Sequence, residues 1–343
     1  MQLSSCVLSI LAAGTCCGAH AATPWRGLHI PLQSAEGART AERLVREVLQ
    51  PLGVNVLVVE VNYSYQFESR PELGGGTLTK DDARRLAETC RSAGIRLIPL
   101  LNCLGHQSWA ETTFSLLTKH PEFDETPDIP LSNPGIYCRS WCPLHPDLNP
   151  IVFDLIDELV DAFEADAVHV GMDEVFLIGS DQCARCRGKN PAELFAKAVN
   201  DLHDHIVGEK HWEMLMWGDR LLDADKMGYG EWESSANGTA PAVDKVPKDI
   251  IMCDWHYEPL PRYPSVRFFE DKGFRVLPCP WKNLDAATKF LDDALADPSD
   301  RMLGVLCTGW SVGDGGSAIL ADAEGEGECQ EAEVLKGCVG RLR

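Results

Sequence analysis

The sequence predicts an α/β chain folded as one (β/α)8 barrel, a single-domain TIM barrel, and three observations predict it. Eight short apolar runs recur along the chain, at residues 27–30, 54–61, 95–101, 167–171, 214–217, 250–255, 274–278 and 303–308. Their near-continuous hydrophobicity is that of strands covered on both faces, as in a parallel sheet. Amphipathic helical patterns separate them, and eight such units close into a barrel. The 343 residues suffice for one large domain, and no internal repeat or long low-complexity linker divides them.

Taken in order, residues 1–21 read as a signal peptide. A short apolar run leads to Ala19-His20-Ala21, an A-x-A cleavage pattern followed by Ala22. The run is too short to span a bilayer, so the mature chain is expected to be secreted or periplasmic and free of the membrane. The barrel is assigned to residues 22–320. Its helices are expected at 40–49, at 80–93 with Ala83 and Leu86 on one face and Gly94 as a C-cap, and at 150–163. In the last of these Ile151, Leu155, Leu159 and Phe163 recur every fourth residue. Further helices are expected at 191–206, opened by Pro191, and at 284–296. Residues 321–343 are assigned to an acidic, helical C-terminal tail.

Charge narrows the partners. Lys plus Arg number 31 against 52 Asp plus Glu, a net charge of −21. Nucleic-acid affinity comes mainly from neutralising phosphates, so a nucleic-acid partner is excluded as the default. Membrane binding through basic patches is disfavoured for the same reason. A neutral glycan or oligosaccharide fits better, and the oligomeric state is left open. No cofactor and no catalytic metal are expected.

Eleven cysteines follow residue 21. Cys253, Cys279 and Cys307 sit inside apolar strands, where cysteine behaves as a small hydrophobe. Cys138, Cys142, Cys183 and Cys186 lie in polar loops. Disulfides, a zinc site built from all four, or free thiols remain open for them.

In such a barrel the site lies at the C-terminal ends of the strands. The third candidate strand leads to His106 and Trp109, the fourth carries His169, Asp173 and Glu174, and the fifth ends at Trp217 and Asp219. The sixth ends at Trp255 and Tyr257, the seventh at Trp281 and the eighth at Trp310, while Arg26 opens the first. An acidic pair ringed by aromatics suits a sugar, whose apolar ring faces stack on aromatic side chains. Two rivals stand beside this reading. His106, His169, Asp173 and Glu174 could hold a catalytic metal, but no H-x-H pair follows the first strand. A non-catalytic sugar-binding protein is the other, and retention of both acids argues against it.

His169-Val170-Gly171-Met172-Asp173-Glu174 resembles the H-x-G-x-D-E signature of glycoside hydrolase family 20, the β-N-acetylhexosaminidases. Trp25-Arg26-Gly27-Leu28, Val54-Asn55-Val56-Leu57, Ile98-Pro99, Gly105-His106, Ser108-Trp109, Met216-Trp217-Gly218-Asp219 and Gly309-Trp310 resemble other family segments in order, closest to compact hexosaminidase D-like members. The resemblance implies a retaining, substrate-assisted hydrolase of terminal β-linked GlcNAc or GalNAc. Glu174 would be the acid/base and Asp173 would orient the 2-acetamido group. Arg26 would bind ring hydroxyls, His106 and His169 would hydrogen-bond the acids, and Trp217, Asp219, Trp255, Tyr257, Trp281 and Trp310 would line the sugar pocket. The sequence departs from the pattern after the second strand, where Tyr63-Ser64 replaces an acidic pair. It departs again at Trp281-Lys282-Asn283, which lacks the family's tyrosine, and at Trp310-Ser311-Val312, which lacks a carboxylate. Tyr257 is the candidate substitute for the missing tyrosine.

Overall fold

The computed structural model describes residues 23–297, 299–313, 316 and 329–343. The expected signal peptide lies outside the described residues, as does most of the Gly- and acid-rich stretch before residue 329.

Eight parallel strands form the barrel: β1 (Trp25–Pro31), β2 (Val56–Glu60), β3 (Arg96–Cys103), β6 (Ala167–Gly171), β7 (Glu213–Trp217), β8 (Ile251–Trp255), β9 (Arg275–Cys279) and β10 (Gly304–Thr308). The intervening β4 (Ser108–Trp109) and β5 (Thr112–Thr113) make a small antiparallel hairpin above it. The sheet order is β10-β1-β2-β3-β6-β7-β8-β9. The ring is completed between β9 and the approach to β10, where Val276 N–H donates to Arg301 O at 2.9 Å and Leu303 N–H to Val276 O at 3.0 Å.

Side-chain alternation divides the burial. Val58, Ile98, Leu100, Leu215, Trp217, Ile251, Cys253, Leu277 and Leu306 fill the barrel interior. Alternate residues such as Leu28, Leu57, Val168, Met214, Met252 and Val305 pack outward under the helices. Both faces are therefore dry, which is why the strands read as unbroken apolar runs.

The expected helices are present with shifted ends, as Lys80–Ser92, Leu148–Ala162, Pro191–His203 and Leu284–Leu295. Thr79 caps the first of these, accepting Asp82 N–H while the Asp82 carboxylate accepts Thr79 N–H. The first helix begins earlier than expected, at Ala35, because Ser34 caps it by accepting Gly37 N–H. Helix Ser265–Asp271 was not anticipated. Helix Gln330–Arg341, expected as part of a tail, packs on β10, β1 and helix Leu284–Leu295, burying Val334, Leu335, Cys338 and Val339. It belongs to the barrel wall. No helix among the described residues is long and apolar enough to cross a membrane.

Two long loops are tied down by buried arginines. Between β3 and β6, Arg139 pairs with Asp124, and its Nε donates to Asn133 Oδ1 at 2.7 Å and its terminal nitrogens to main-chain carbonyls of Thr126, Ile129 and Pro130. After β7, Arg220 faces Asp219 at 2.7 Å and donates to the carbonyls of Glu231, Trp232 and Ser234. Each guanidinium thus satisfies carbonyls that a non-repetitive loop would otherwise leave unpaired.

Candidate active site

A cavity of about 1210 Å³ opens at the C-terminal ends of the strands. Every barrel strand or the loop after it contributes: Pro31 and Gln33, Glu60 and Asn62, Asn102 and His106, Asp173 and Glu174, Trp232 and Glu233, Trp255 and Tyr257, Trp281 and Asn283, and Trp310.

The acidic pair leaves β6 on a left-handed backbone. Gly171 takes φ +66°, Met172 +75° and Glu174 +48°. A Cβ on Gly171 would stand 2.4 Å from Asn102 Oδ1, so only glycine fits there. The two non-glycine residues each carry strain of about 1–2 kcal/mol, which the surroundings hold in place. The Glu174 N–H donates to Asp219 Oδ2 at 3.0 Å. The result is that two sequence neighbours both line the cavity.

His106, itself at φ +51°, bridges the pair. Its Nε2 lies 3.2 Å from Asp173 Oδ2 and 3.0 Å from Glu174 Oε2. Burial alone would lower the His106 pKa, but the close carboxylates, Asp173 first and then Glu174, reverse this and hold it well above the usual imidazole value. Asp173 Oδ1 is buried with no hydrogen-bond partner. Tyr137 closes the other side of Glu174; burial, then the Glu174 charge and a hydrogen bond to it, push the phenol upward and keep it a donor. Cys138 Sγ faces Glu174 O at 3.4 Å, so this cysteine belongs to the acid site.

Across the cavity Trp310 Nε1–H donates to Tyr257 OH at 2.7 Å. With that lone pair used, the Tyr257 proton is directed elsewhere, and burial keeps the phenol protonated. Tyr257 N–H donates to Glu233 Oε1 at 3.1 Å, and Glu233 Oε2 lies 2.7 Å from His256 Nδ1. Trp281 stands at 5.4 Å from Tyr257, edge to face, and its Nε1–H donates to Glu331 Oε1 at 3.2 Å. At the mouth Trp109, Tyr137 and Trp232 touch in series, with ring centroids 5.2 and 5.0 Å apart. Trp109 is 52% and Trp232 49% exposed, so this rim offers aromatic faces to solvent.

Of the expected site residues, His106, Asp173, Glu174, Trp255, Tyr257, Trp281 and Trp310 line the cavity. Four do not. Arg26 is the second residue of β1, at the N-terminal end of the barrel, and its Nε donates to Gly53 O at 2.6 Å. His169 and Trp217 point into the barrel interior below the cavity, their rings 4.4 Å apart. His169 Nδ1 accepts Gly171 N–H at 3.0 Å rather than meeting the acids, and burial holds its pKa well below the ordinary value. Asp219 is buried behind Glu174 and positions it through the backbone. Glu60, Asn62, Asn102, Tyr137 and Glu233 were missed. Glu60, the last residue of β2, brings a carboxylate to the cavity wall, where its Oε1 accepts Asn62 Nδ2–H at 2.8 Å and Asn102 Nδ2–H at 3.0 Å.

Comparison with known proteins bears on the family and the fold. A model described as glycosyl hydrolase family 20, catalytic domain, matches residues 45–311. Over 157 residues the chain is 25% identical to the lacto-N-biosidase of Bifidobacterium bifidum, covering 42% of this chain and 13% of that protein. The fold resembles that of Flavobacterium johnsoniae chitobiase with a TM-score of 0.68 and 18% identity, covering 92% of this chain and 48% of that one. It also resembles a Vibrio harveyi exo-β-N-acetylglucosaminidase with a TM-score of 0.64 and 15% identity, covering 92% of this chain and 54% of the other. The chain thus spans about half the length of these solved structures.

Proposed function

Because the chain belongs to glycosyl hydrolase family 20, we propose that it is a β-N-acetylhexosaminidase that removes terminal non-reducing β-linked GlcNAc or GalNAc with retention of configuration. Asp173 and Glu174 are sequence neighbours on one strand exit, which suits them poorly to straddle a glycosidic bond as independent nucleophile and acid. Substrate-assisted chemistry needs no protein nucleophile. Glu174 protonates the leaving oxygen while the substrate's acetamide oxygen attacks the anomeric carbon, forming a bicyclic oxazolinium. Asp173 accepts the acetamide N–H and stabilises the positive charge, and Tyr257 donates to the acetamide oxygen. Glu174 then takes a proton from water as that water opens the ring, and the acetamide is restored.

The observation that carries this reading is Asp173 Oδ1, a buried acceptor lining the cavity with no partner in the protein. A polar atom left this way costs free energy unless a ligand satisfies it. The names of the similar proteins, a chitobiase and an exo-β-N-acetylglucosaminidase, support the same substrate class. Export is part of the proposal and rests on the Ala19-His20-Ala21 leader pattern; N-terminal sequencing of the protein made in its own cell would then begin at Ala22.

The test is release of p-nitrophenol from the β-GlcNAc and β-GalNAc glycosides by the wild type and Glu174→Gln. Turnover that falls by about 10²–10⁴ in the variant supports the assignment of the acid. N-acetylhexosamine binding without turnover by the wild type would replace the enzyme with a sugar-binding protein.

A further inference from the structure

Outside the acid site, one buried cluster has ligand chemistry that the glycosidase reaction does not use. Glu125, Cys142, Cys183 and Cys186 are all buried, and one donor atom from each lies within 4.8 Å of the other three. We propose that these four side chains bind a structural zinc ion that staples the loop after β3 to the loop after β6.

The donor set fits tetrahedral zinc. Thiolates bind it at about 2.3 Å, which places neighbouring sulfurs about 3.8 Å apart; Cys142 Sγ and Cys186 Sγ stand 3.3 Å apart. Cys183 and Cys186 form a C-x-x-C turn, with Arg187 N–H donating to Cys183 O and Lys189 N–H to Cys186 O, each at 3.0 Å. That turn presents two sulfurs to one point, and Cys142 supplies the third from the other loop. Glu125 is fixed through Oε1, which accepts Ser180 N–H at 2.8 Å, while Oε2 is buried without a hydrogen-bond partner. An unpartnered carboxylate oxygen among three thiols is costly without a cation and is a fourth ligand with one. A disulfide would use two sulfurs, strand the third and leave Glu125 unexplained. The apolar shell of Leu144, Ile178 and Leu194 closes the site to solvent, as structural rather than catalytic zinc sites are closed.

The staple has a location that matters. Cys142 is five residues beyond Tyr137, and Cys183 follows Phe176 on the loop that leaves the acid pair. Zinc would fix the two loops that hold Tyr137 against Glu174 without touching the reacting atoms.

The experiment is elemental analysis of the full chain purified under reducing conditions, before and after adding one equivalent of zinc and gel filtration. One zinc per chain is expected. Cobalt in its place should give the intense visible bands of tetrahedral thiolate coordination and near-ultraviolet thiolate-to-metal charge transfer. Cys183→Ser with Cys186→Ser should retain less than a tenth of an equivalent. Glu125→Gln, which keeps the Ser180 acceptor, should bind zinc at least tenfold more weakly in a chelator competition, and Cys138→Ser should keep the full equivalent. Wild-type protein that takes up no zinc or cobalt when its thiols are reduced overturns the proposal. So does a Cys142–Cys186 disulfide peptide recovered from the protein as its own cell makes it. These readouts do not depend on glycosidase activity.

Discussion

Asp219 Oδ2 accepts the main-chain N–H of Glu174 at 3.0 Å and faces Arg220 Nε at 2.7 Å. One carboxylate oxygen thereby ties the acid residue to the guanidinium that organises the loop of Trp232 and Glu233. Burial lifts the Asp219 pKa to about 6 although Arg220 opposes the rise. Asp219→Ala leaves a buried guanidinium without its counter-charge, so a loss of about 3–5 kcal/mol in urea unfolding is expected, together with a fall in kcat. Asp219→Asn keeps an acceptor for Glu174 and should retain more activity than the alanine variant at equal folded fraction.

The division of labour between the two acids predicts opposite responses to leaving-group chemistry. Glu174→Ala should recover most of its lost kcat/KM on a 2,4-dinitrophenyl glycoside, whose leaving group needs no proton, while kcat stays low because the water step still lacks its base. Asp173→Asn should not recover, because its role lies with the acetamide. A matched series of aglycones, read as kcat/KM against leaving-group pKa, distinguishes the two.

Tyr257 and Trp310 should behave as a pair. Tyr257→Phe removes the proposed donor to the acetamide oxygen, and Trp310→Phe removes the bond that aims it. Each is expected to lower kcat/KM by about tenfold or more, on the scale of a buried hydrogen bond. The double variant should lose less than the product of the two, a coupling that a double-mutant cycle measures.

His256 gives a stability signature at alkaline pH. Burial alone would depress it, but Asp254 and Glu233 raise it from 6.5 to about 9. Its folded value exceeds its unfolded one, so its contribution is full below about pH 6.5 and is lost as the pH climbs through 9. The wild type should therefore lose on the order of 3 kcal/mol from this group across that window. Glu233→Gln should flatten the slope, as urea midpoints taken at several pH values would reveal.

Gly105 sits where a methyl group would meet Asp173 O at 2.8 Å and Val175 Cγ2 at 3.0 Å. Gly105→Ala is expected to displace the acid pair, lowering kcat severalfold or more while shifting Tm by only a few degrees. An unchanged kcat would mean that the β6 exit yields without moving either carboxylate.

The strands were legible because burial on both faces leaves a plain signal, and the acid pair because its motif is contiguous. Arg26 misled because a local match carries no information about which end of the barrel a residue occupies; its position two residues into β1 settles that. His169 and Trp217 are chemically suitable but fall on the interior register below the cavity, a matter of strand parity and depth. Tyr137 and Glu233 ride on loops whose course is set by Arg139 and Arg220, and no periodicity encodes a loop held by carbonyl contacts. Helix Gln330–Arg341 lies past an acidic stretch, which disguised a buried face as a tail.

The pairing of β1 with β10, Trp25 opposite Gly304, bears on how the chain is made. A nascent chain that has emerged only through β9 carries two unpaired edges, on β1 and β9, exposing apolar strands to neighbouring chains. Ring closure waits for the final strand, and with it the seat of Trp310. Synthesis therefore passes through a sticky species with an incomplete cavity, whose lifetime is set by translation of the segment from β9 to β10, and slowing that segment should increase dependence on chaperones before any change in the finished barrel.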